Sequence, residues 1–291
     1  MIPAAFEYIR PTSLDEAFDL LAEDGSRALA GGHSLLPLLK LRLTSVDRLV
    51  DIGRLRELGG ISAGAGGALR IGAMTTYRDI LDSEEVRARA PLIAEVSGSI
   101  GDVQVRNRGT IGGSVAHADP ASDMPAVLLA LGASFVLRSR DGERTVAADD
   151  FFTGAFATDL RATELLMAIE VPAPGTGSGA AWQSLMQPAS GYSMVGVAAA
   201  VSVAGGAVSA ARIALTGVGE VAYRATGAEE ALAGSDGGTQ AVAAAADHAT
   251  DGVQVNADIH ADRSYRSAMA IVLTRRAIEA ALGRAAGGSS S

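Results

Sequence analysis

Apolar residues recur along this chain with two periods, and the switches between them mark out its elements. Leu14, Ala17, Phe18 and Leu21 make one helical face behind Ser13-Leu14-Asp15-Glu16, which has the spacing of a capping box, and Gly25 stops that helix. An apolar run at 28–30 predicts a buried strand ending in Gly31-Gly32-His33-Ser34. A leucine-rich helix follows, with Ser34 placed to cap it and Pro37 in its first turn, where a missing N–H costs nothing. Residues 49–52 predict a further strand, closing a β/α unit over residues 1–55. Strand pattern returns at 69–73, helical pattern at 76–88 and 91–100, and a glycine-rich loop follows at 109–114. Ser122 is placed to cap a helix over 123–131, with Pro125 in its first turn and Gly132 at its end. Strands are predicted at 134–139 and 165–171, and the Pro/Gly-rich stretch 171–179 is the best linker.

Beyond the linker the order changes. Three strands are predicted at 181–186, 193–203 and 207–217, then helices at 228–233, 239–250 and 262–282. Strands followed by helices make an α+β unit with a three-stranded antiparallel sheet. No stretch reaches the roughly 20 apolar residues a membrane span needs; the longest candidate, 192–211, is divided by Gly205-Gly206 into two β-like runs, which fits a hairpin better. There is no internal repeat, and residues 286–291 read as a disordered tail.

Composition narrows the chemistry. The 291 residues are 48% apolar with a net charge of −9, which allows two cored domains and argues against nucleic acid or anionic lipid as a partner. There is no cysteine, so the chain offers no thiolate to an iron–sulfur cluster, and the four histidines lack metal-ligand spacing. Met1 leads into a mixed, charged segment and not a secretory leader, so a cytoplasmic protein that is not integral to the membrane is expected.

Two segments combine paired glycines with a hydroxyl: Ala30-Gly31-Gly32-His33-Ser34-Leu35 and Thr110-Ile111-Gly112-Gly113-Ser114. Glycine lets a backbone approach a ligand, and exposed N–H groups then cradle phosphate oxygens without a lysine. Two such loops suit a pyrophosphate. Neither is a G-x-G-x-x-G fingerprint or a P-loop, and paired glycines equally mark tight turns, so pattern alone leaves both readings open. His33 and His117 flank the loops, where a general-base role competes with simple loop hydrogen bonding.

The longer stretches around these loops resemble the two FAD signatures of the molybdenum hydroxylase flavoproteins. That family includes the medium subunits of aerobic carbon monoxide dehydrogenases and the FAD domains of xanthine dehydrogenases. The second signature extends through Val115-Ala116-His117-Ala118-Asp119-Pro120-Ala121-Ser122-Asp123-Met124-Pro125, and Gln104-Val105-Arg106-Asn107-Arg108-Gly109 before it also fits. Glu164-Leu165-Leu166 and Ser264-Tyr265-Arg266 extend the likeness over nearly the whole chain. The resemblance implies a two-subdomain FAD-binding domain of PCMH/VAO type over 1–174, with subdomains 1–55 and 56–174, and an α+β C-terminal domain over 179–285. It implies that segments 30–35 and 110–114 hold the pyrophosphate and neighbouring ribityl or ribose groups, and that Asp123 contacts the flavin. Leu165, Leu166 and Ile100 would lie beside the ring and Tyr192 would cover one face of it, although each reads equally well as core and Asp123 as a helix-start charge.

Some positions depart from the family. Ser184 stands where xanthine dehydrogenases place a lysine, and Pro188 and Gly191 stand where many medium subunits carry Arg and Asp. These changes bear on the flavin potential and the final acceptor. The implied function is electron transfer: a small iron–sulfur subunit with [2Fe-2S] clusters delivers electrons, a large molybdopterin subunit oxidises the substrate, and the heterotrimer dimerises. No catalytic residue or metal ligand falls on this chain. A free-standing FAD reductase and a non-catalytic flavin-binding assembly module are the alternatives.

Overall fold

The structure is a computed structural model that describes residues 2–287. Its first layer is β1 (Glu7–Ile9), α1 (Leu14–Leu21), β2 (Ser26–Leu29), α2 (Leu35–Lys40) and β3 (Arg48–Asp51). The three strands pair in parallel in the order β1-β3-β2. The chain therefore leaves β2 and β3 side by side, which makes the carboxyl ends of these strands a natural ligand crevice. Ser13 caps α1 by accepting from Glu16 N at 3.2 Å. The reciprocal half of the expected capping box is displaced by one residue, because the Glu16 carboxylate takes the N–H and hydroxyl of Thr12 instead. Ser34 does not cap α2: its own backbone is already helical, so its hydroxyl does not reach the free N–H groups.

The second layer runs β4 (Ile61–Ala63), β5 (Leu69–Gly72), α3 (Tyr77–Asp82), α4 (Glu84–Arg89), α5 (Pro91–Ser99), α6 (Val103–Arg108), α7 (Ile111–His117) and α8 (Asp123–Ala130). It continues through β6 (Ser134–Ser139), β7 (Gly142–Ala147), α9 (Ala148–Phe151), β8 (Phe152–Gly154), β9 (Ala157–Thr158) and β10 (Leu165–Val171). Its five-stranded sheet is antiparallel in the order β4-β5-β10-β6-β7. The single helix expected over 76–88 is two, because extended Ser83 ends α3 and its hydroxyl caps α4 at Val86 N. The glycine-rich loop expected at 109–114 is for the most part the first turn of α7, capped by Thr110. Ser122 precedes α8 without a side-chain cap, since its hydroxyl is engaged with that of Ser114 at 2.8 Å.

The third layer is β11 (Ser178–Met186), β12 (Ser193–Ala204), β13 (Ala207–Thr216), β14 (Tyr223–Arg224), α10 (Thr226–Leu232), α11 (Thr239–Asp247) and α12 (Arg263–Gly287). The antiparallel sheet has the three long strands expected plus a fourth, two-residue strand β14. Period-two alternation gives this sheet two buried faces. Trp182, Ala198 and Ala214 join the core of the second layer, whereas Ala181, Val197 and Ile213 pack with Ala277 and Ile278 of α12. Small residues on the first face let the sheet sit close to α8. Helix α12 continues through residues 286 and 287, which were expected in the tail; residues 288–291 lie outside the described residues. Among the described residues no helix is long and apolar enough to cross a membrane.

Candidate functional site

Segment 30–35 leaves the carboxyl end of β2 and runs onto the junction of α6 and α7. A Cβ on Gly31 would lie 2.1 Å from the carbonyl oxygen of Arg108, so only glycine permits this approach. Gly32 turns the chain at φ +78°, a conformation costly to any residue with a Cβ. Among the described residues the N–H groups of Gly31, Gly32, His33, Ser34 and Leu35 have no acceptor in the chain. Five successive donors at the start of α2 form a ready receptor for anionic oxygens. His33 is exposed, with Nδ1 3.2 Å from the carbonyl oxygen of Gly31, which is the loop hydrogen-bonding role.

Segment 110–114 is built otherwise. Thr110 Oγ1 accepts from Gly113 N at 3.1 Å. Ile111 N and Gly112 N donate to the carbonyls of Thr75 and Ala73, and Ser114 N to that of Thr110. A Cβ on Gly112 would lie 2.4 Å from that of Ala73, so this glycine lets α7 lie against the end of β5. The two segments meet: a Cβ on Gly113 would stand 3.5 Å from that of Ala30.

A cavity of about 650 Å³ opens on the same junction. Ala30, Gly31 and Thr110 line it, with Arg54 and Arg56 after β3 and Arg108 at the end of α6. None of these arginines has a hydrogen-bond or ion-pair partner for its side chain among the described residues, in a chain of net charge −9. Sequence reading passed over Arg54 and Arg56; their place just beyond the carboxyl end of a parallel strand was the available signal. The turn that carries them is pinned by Asp51, whose carboxylate accepts from Gly53 N at 2.9 Å, from Arg10 at 2.7 Å and from the Tyr8 hydroxyl. Burial works against that carboxylate, but these donors hold it below the usual carboxylate range.

A buried polar cluster forms at the start of α8. Asp123 is buried at the start of α8, and desolvation pushes its carboxyl up to about 6, although the Ser193 hydroxyl donates to it at 2.7 Å. Tyr77 is buried nearby, its phenol raised by burial and eased by the Ser114 hydroxyl. Tyr192 is 46% exposed, with its phenol raised by burial and by Asp119 and lowered by the Ser34 hydroxyl. This tyrosine, which precedes β12, is exposed and is not a core residue. His117 packs its ring on Phe156 at 5.1 Å between centroids, and burial lowers its pKa.

Leu165 and Leu166 are both buried in β10 but on opposite faces. Leu165 packs with the first layer, beside Val50 and Ile52, and Leu166 with the helices of the second. They do not form one apolar wall. Ile100 follows α5, half-buried against the second-layer core. Ser184 lies in β11, while Pro188 and Gly191 lie in the turn before β12.

Residues 4–174 match the family model described as the FAD binding domain in molybdopterin dehydrogenase. Residues 180–281 match that of the CO dehydrogenase flavoprotein C-terminal domain. The carbon monoxide dehydrogenase medium chain of Hydrogenophaga pseudoflava is 44% identical over 98% of this chain and 100% of its own length. The glyceraldehyde dehydrogenase medium chain of Sulfolobus acidocaldarius is 39% identical over 96% and 99%. The solved carbon monoxide dehydrogenase from Hydrogenophaga pseudoflava that lacks the Mo-pyranopterin moiety contains a chain that superposes with a TM-score of 0.94. That chain is 45% identical, covering 98% of this chain and 99% of its own.

Proposed function

Because the chain belongs to the FAD-binding family of the molybdopterin dehydrogenases, we propose that it is the FAD-carrying medium subunit of a molybdenum hydroxylase. It works over two domains, 1–174 and 179–285. The observation that carries this reading is the row of five N–H donors in segment 30–35, unpaired among the described residues, beside a large cavity edged by three arginines likewise unpaired there. A dinucleotide diphosphate meets both requirements, since its oxygens accept from backbone donors and its charge answers the guanidinium groups. The cavity is also of the size usual for cofactor sites.

Bound FAD supplies the redox chemistry, taking up electrons singly and passing them on in pairs. The chain binds and orients. Segment 30–35 holds the diphosphate with its N–H groups, and segment 110–114 contributes the Thr110 and Ser114 side chains and the shape of the floor. Asp123, its carboxyl raised by burial to about 6, holds a proton or a charge next to the cofactor according to pH. Tyr192 limits water at the mouth. Leu165 and Leu166 serve as packing behind the site from two sides.

The chain has no cysteine, so an iron–sulfur donor must sit on another polypeptide. The partners are a small [2Fe-2S] subunit and a large molybdopterin subunit, in a heterotrimer that dimerises. The relatives oxidise different substrates by name, and substrate choice resides on the large subunit.

Reconstitution tests this directly. The purified chain takes up FAD in preference to FMN, and mass spectrometry of the released cofactor identifies it. Uptake of FMN alone, or of no flavin, refutes the reading. Co-expression with small and large subunits yields a complex on gel filtration. A chain that stays alone yet turns over a small substrate and an acceptor at full rate is instead a free-standing reductase.

A further inference from the structure

The ends of β12 and β13 grip segment 119–123, and one buried arginine holds those two ends together. Ser193, the first residue of β12, donates to Asp123 at 2.7 Å. Thr216, the last residue of β13, places its hydroxyl 2.7 Å from the carbonyl oxygen of Pro120 and 2.9 Å from that of Ser122. Gly217 N donates to the same Pro120 carbonyl at 2.8 Å. Arg266, near the start of α12, is 4% exposed. Its Nη1 donates to the carbonyls of Met194 at 2.6 Å and Gly217 at 2.7 Å, one residue beyond Ser193 and one beyond Thr216. Its Nη2 donates to Asp258 at 2.5 Å.

A buried guanidinium is an expensive way to gain stability, since well-packed apolar residues of similar volume often do as well or better. The two N–H bonds of Nη1, however, are held in the guanidinium plane and fix two acceptors at a set separation, which an apolar side chain cannot do. Here the acceptors are the two strand ends that carry every third-layer hydrogen bond described above to segment 119–123. Tyr192 lies immediately before the gripped residues, so its direction depends on the same fixing.

We infer that Arg266 is a positioning residue for the cofactor site, acting through Met194 and Gly217 on Ser193, Asp123 and Tyr192. The inference rests on the reading that FAD binds along segments 30–35 and 110–114 with its flavin toward Asp123 and Tyr192. Loss of Nη1 leaves the half-buried Met194 carbonyl and the buried Gly217 carbonyl without this donor and frees the ends of β12 and β13 to shift. Asp123 then loses its fixed partner, and Tyr192, the residue before Ser193, its fixed direction.

The test uses the full chain loaded with FAD, with visible circular dichroism of the bound flavin and its dissociation constant as readouts. Arg266→Met weakens FAD binding about tenfold, the scale of one lost charge-assisted hydrogen bond, and alters the flavin dichroism. Arg266→Lys, which keeps the charge but not the planar N–H pair, falls between. Thr216→Val, isosteric and lacking only the hydroxyl, moves both readouts in the same direction by a smaller factor. In an Asp123→Asn/Tyr192→Phe background, Arg266→Met adds less than half of its effect on wild type, because the residues form one coupled unit. Wild-type affinity and dichroism in a folded Arg266→Met chain overturn the inference, as does full additivity in that background. If Arg266→Met does not fold, wild-type readouts in both Arg266→Lys and Thr216→Val overturn it. Failure of the unsubstituted chain to take up FAD refutes the flavin reading itself, a result separable from all of these.

Discussion

Segments 30–35 and 110–114 look alike on paper, each with two glycines and a hydroxyl, yet they are wired in opposite ways. In the first, the N–H groups of Gly31 to Leu35 have no acceptor among the described residues. In the second, Ile111, Gly112, Gly113 and Ser114 all donate within the chain. The glycines differ accordingly. Gly32 supplies a turn at positive φ that leaves donors open, whereas Gly112 lets a helix lie on Ala73. A glycine pair near a phosphate can thus be a receptor or a joint, and the fate of its N–H groups distinguishes them.

The largest effect that follows is on folding. Gly112→Val places branched carbons where Ala73 Cβ, Cα and O already stand within 2.4–2.6 Å of a Cβ. A loss of about 3 kcal/mol or more is expected, since the clash is with backbone and cannot be relieved by a rotamer. Urea unfolding of the apo chain measures it. A Gly112→Val chain of normal apo stability that fails to bind FAD would make the second segment a receptor after all.

Gly32→Val tests the first segment. Holding a β-branched residue at positive φ costs roughly 1–3 kcal/mol, and relief of that strain rotates the donors away. FAD affinity is expected to fall roughly tenfold to a hundredfold, more than apo stability falls. Equal losses in apo and loaded protein would reduce Gly32 to a turn.

A third effect depends on pH. Burial raises the Asp123 carboxyl to about 6, above its unfolded value of about 3.9. The fold therefore favours the protonated form. That stability is fully present below the unfolded value and is lost as pH rises through 6. Asp123→Asn, neutral throughout and still able to accept from Ser193, is expected to gain about 2 kcal/mol over wild type in the apo chain at pH 7.5 and little at pH 4. Urea midpoints at the two pH values decide it, and a gap between wild type and variant that does not widen with pH would assign the burial no electrostatic cost. With FAD bound, the same substitution is expected to weaken binding, and that sets the role of Asp123 toward the ligand apart from its role in the helix.

Much of this was legible in the chain. Strands 134–139 and 165–171 coincide with β6 and β10, because runs such as Leu165-Leu166-Met167-Ala168-Ile169 are buried on both faces and bounded by polar residues. The hairpin partner β7 was not, since Gly142-Glu143-Arg144-Thr145-Val146-Ala147 is a mostly exposed edge strand with little apolar pattern. Helix α7 was misread as a loop for a physical reason: paired glycines disfavour a helix locally, and contacts to Ala73 and Thr75, which only the fold brings near, decide otherwise. The position of both glycine motifs was readable and their difference was not, because hydrogen bonds between residues so far apart in the chain leave no local trace. The same holds for Arg54 and Arg56, whose role depends on β3 ending beside β2, and for Ser193, Thr216 and Arg266, which meet only through the third-layer sheet.

The smallest expected effect is the most discriminating. Gly113 is the one glycine of the second segment whose Cβ would meet chiefly a side-chain atom, Thr110 Oγ1 at 2.7 Å, with Ala30 Cβ at an ordinary 3.5 Å. Gly113→Ala can be accommodated if the Thr110 hydroxyl gives up its cap of α7, which costs about 1 kcal/mol. The helix interior returns part of this, because alanine favours a helix over glycine by roughly the same amount. Apo stability should therefore change by less than about 1 kcal/mol. If segment 110–114 is a joint, FAD affinity should also change by less than about tenfold, far less than in Gly32→Val. If it is a second receptor, the new methyl stands where a phosphate oxygen must approach, and affinity collapses while the fold persists. Isothermal titration of FAD into the folded variant reads this directly, and a loss as large as that of Gly32→Val would mean that the internal hydrogen bonds of the second segment are exchanged for ligand bonds when FAD arrives.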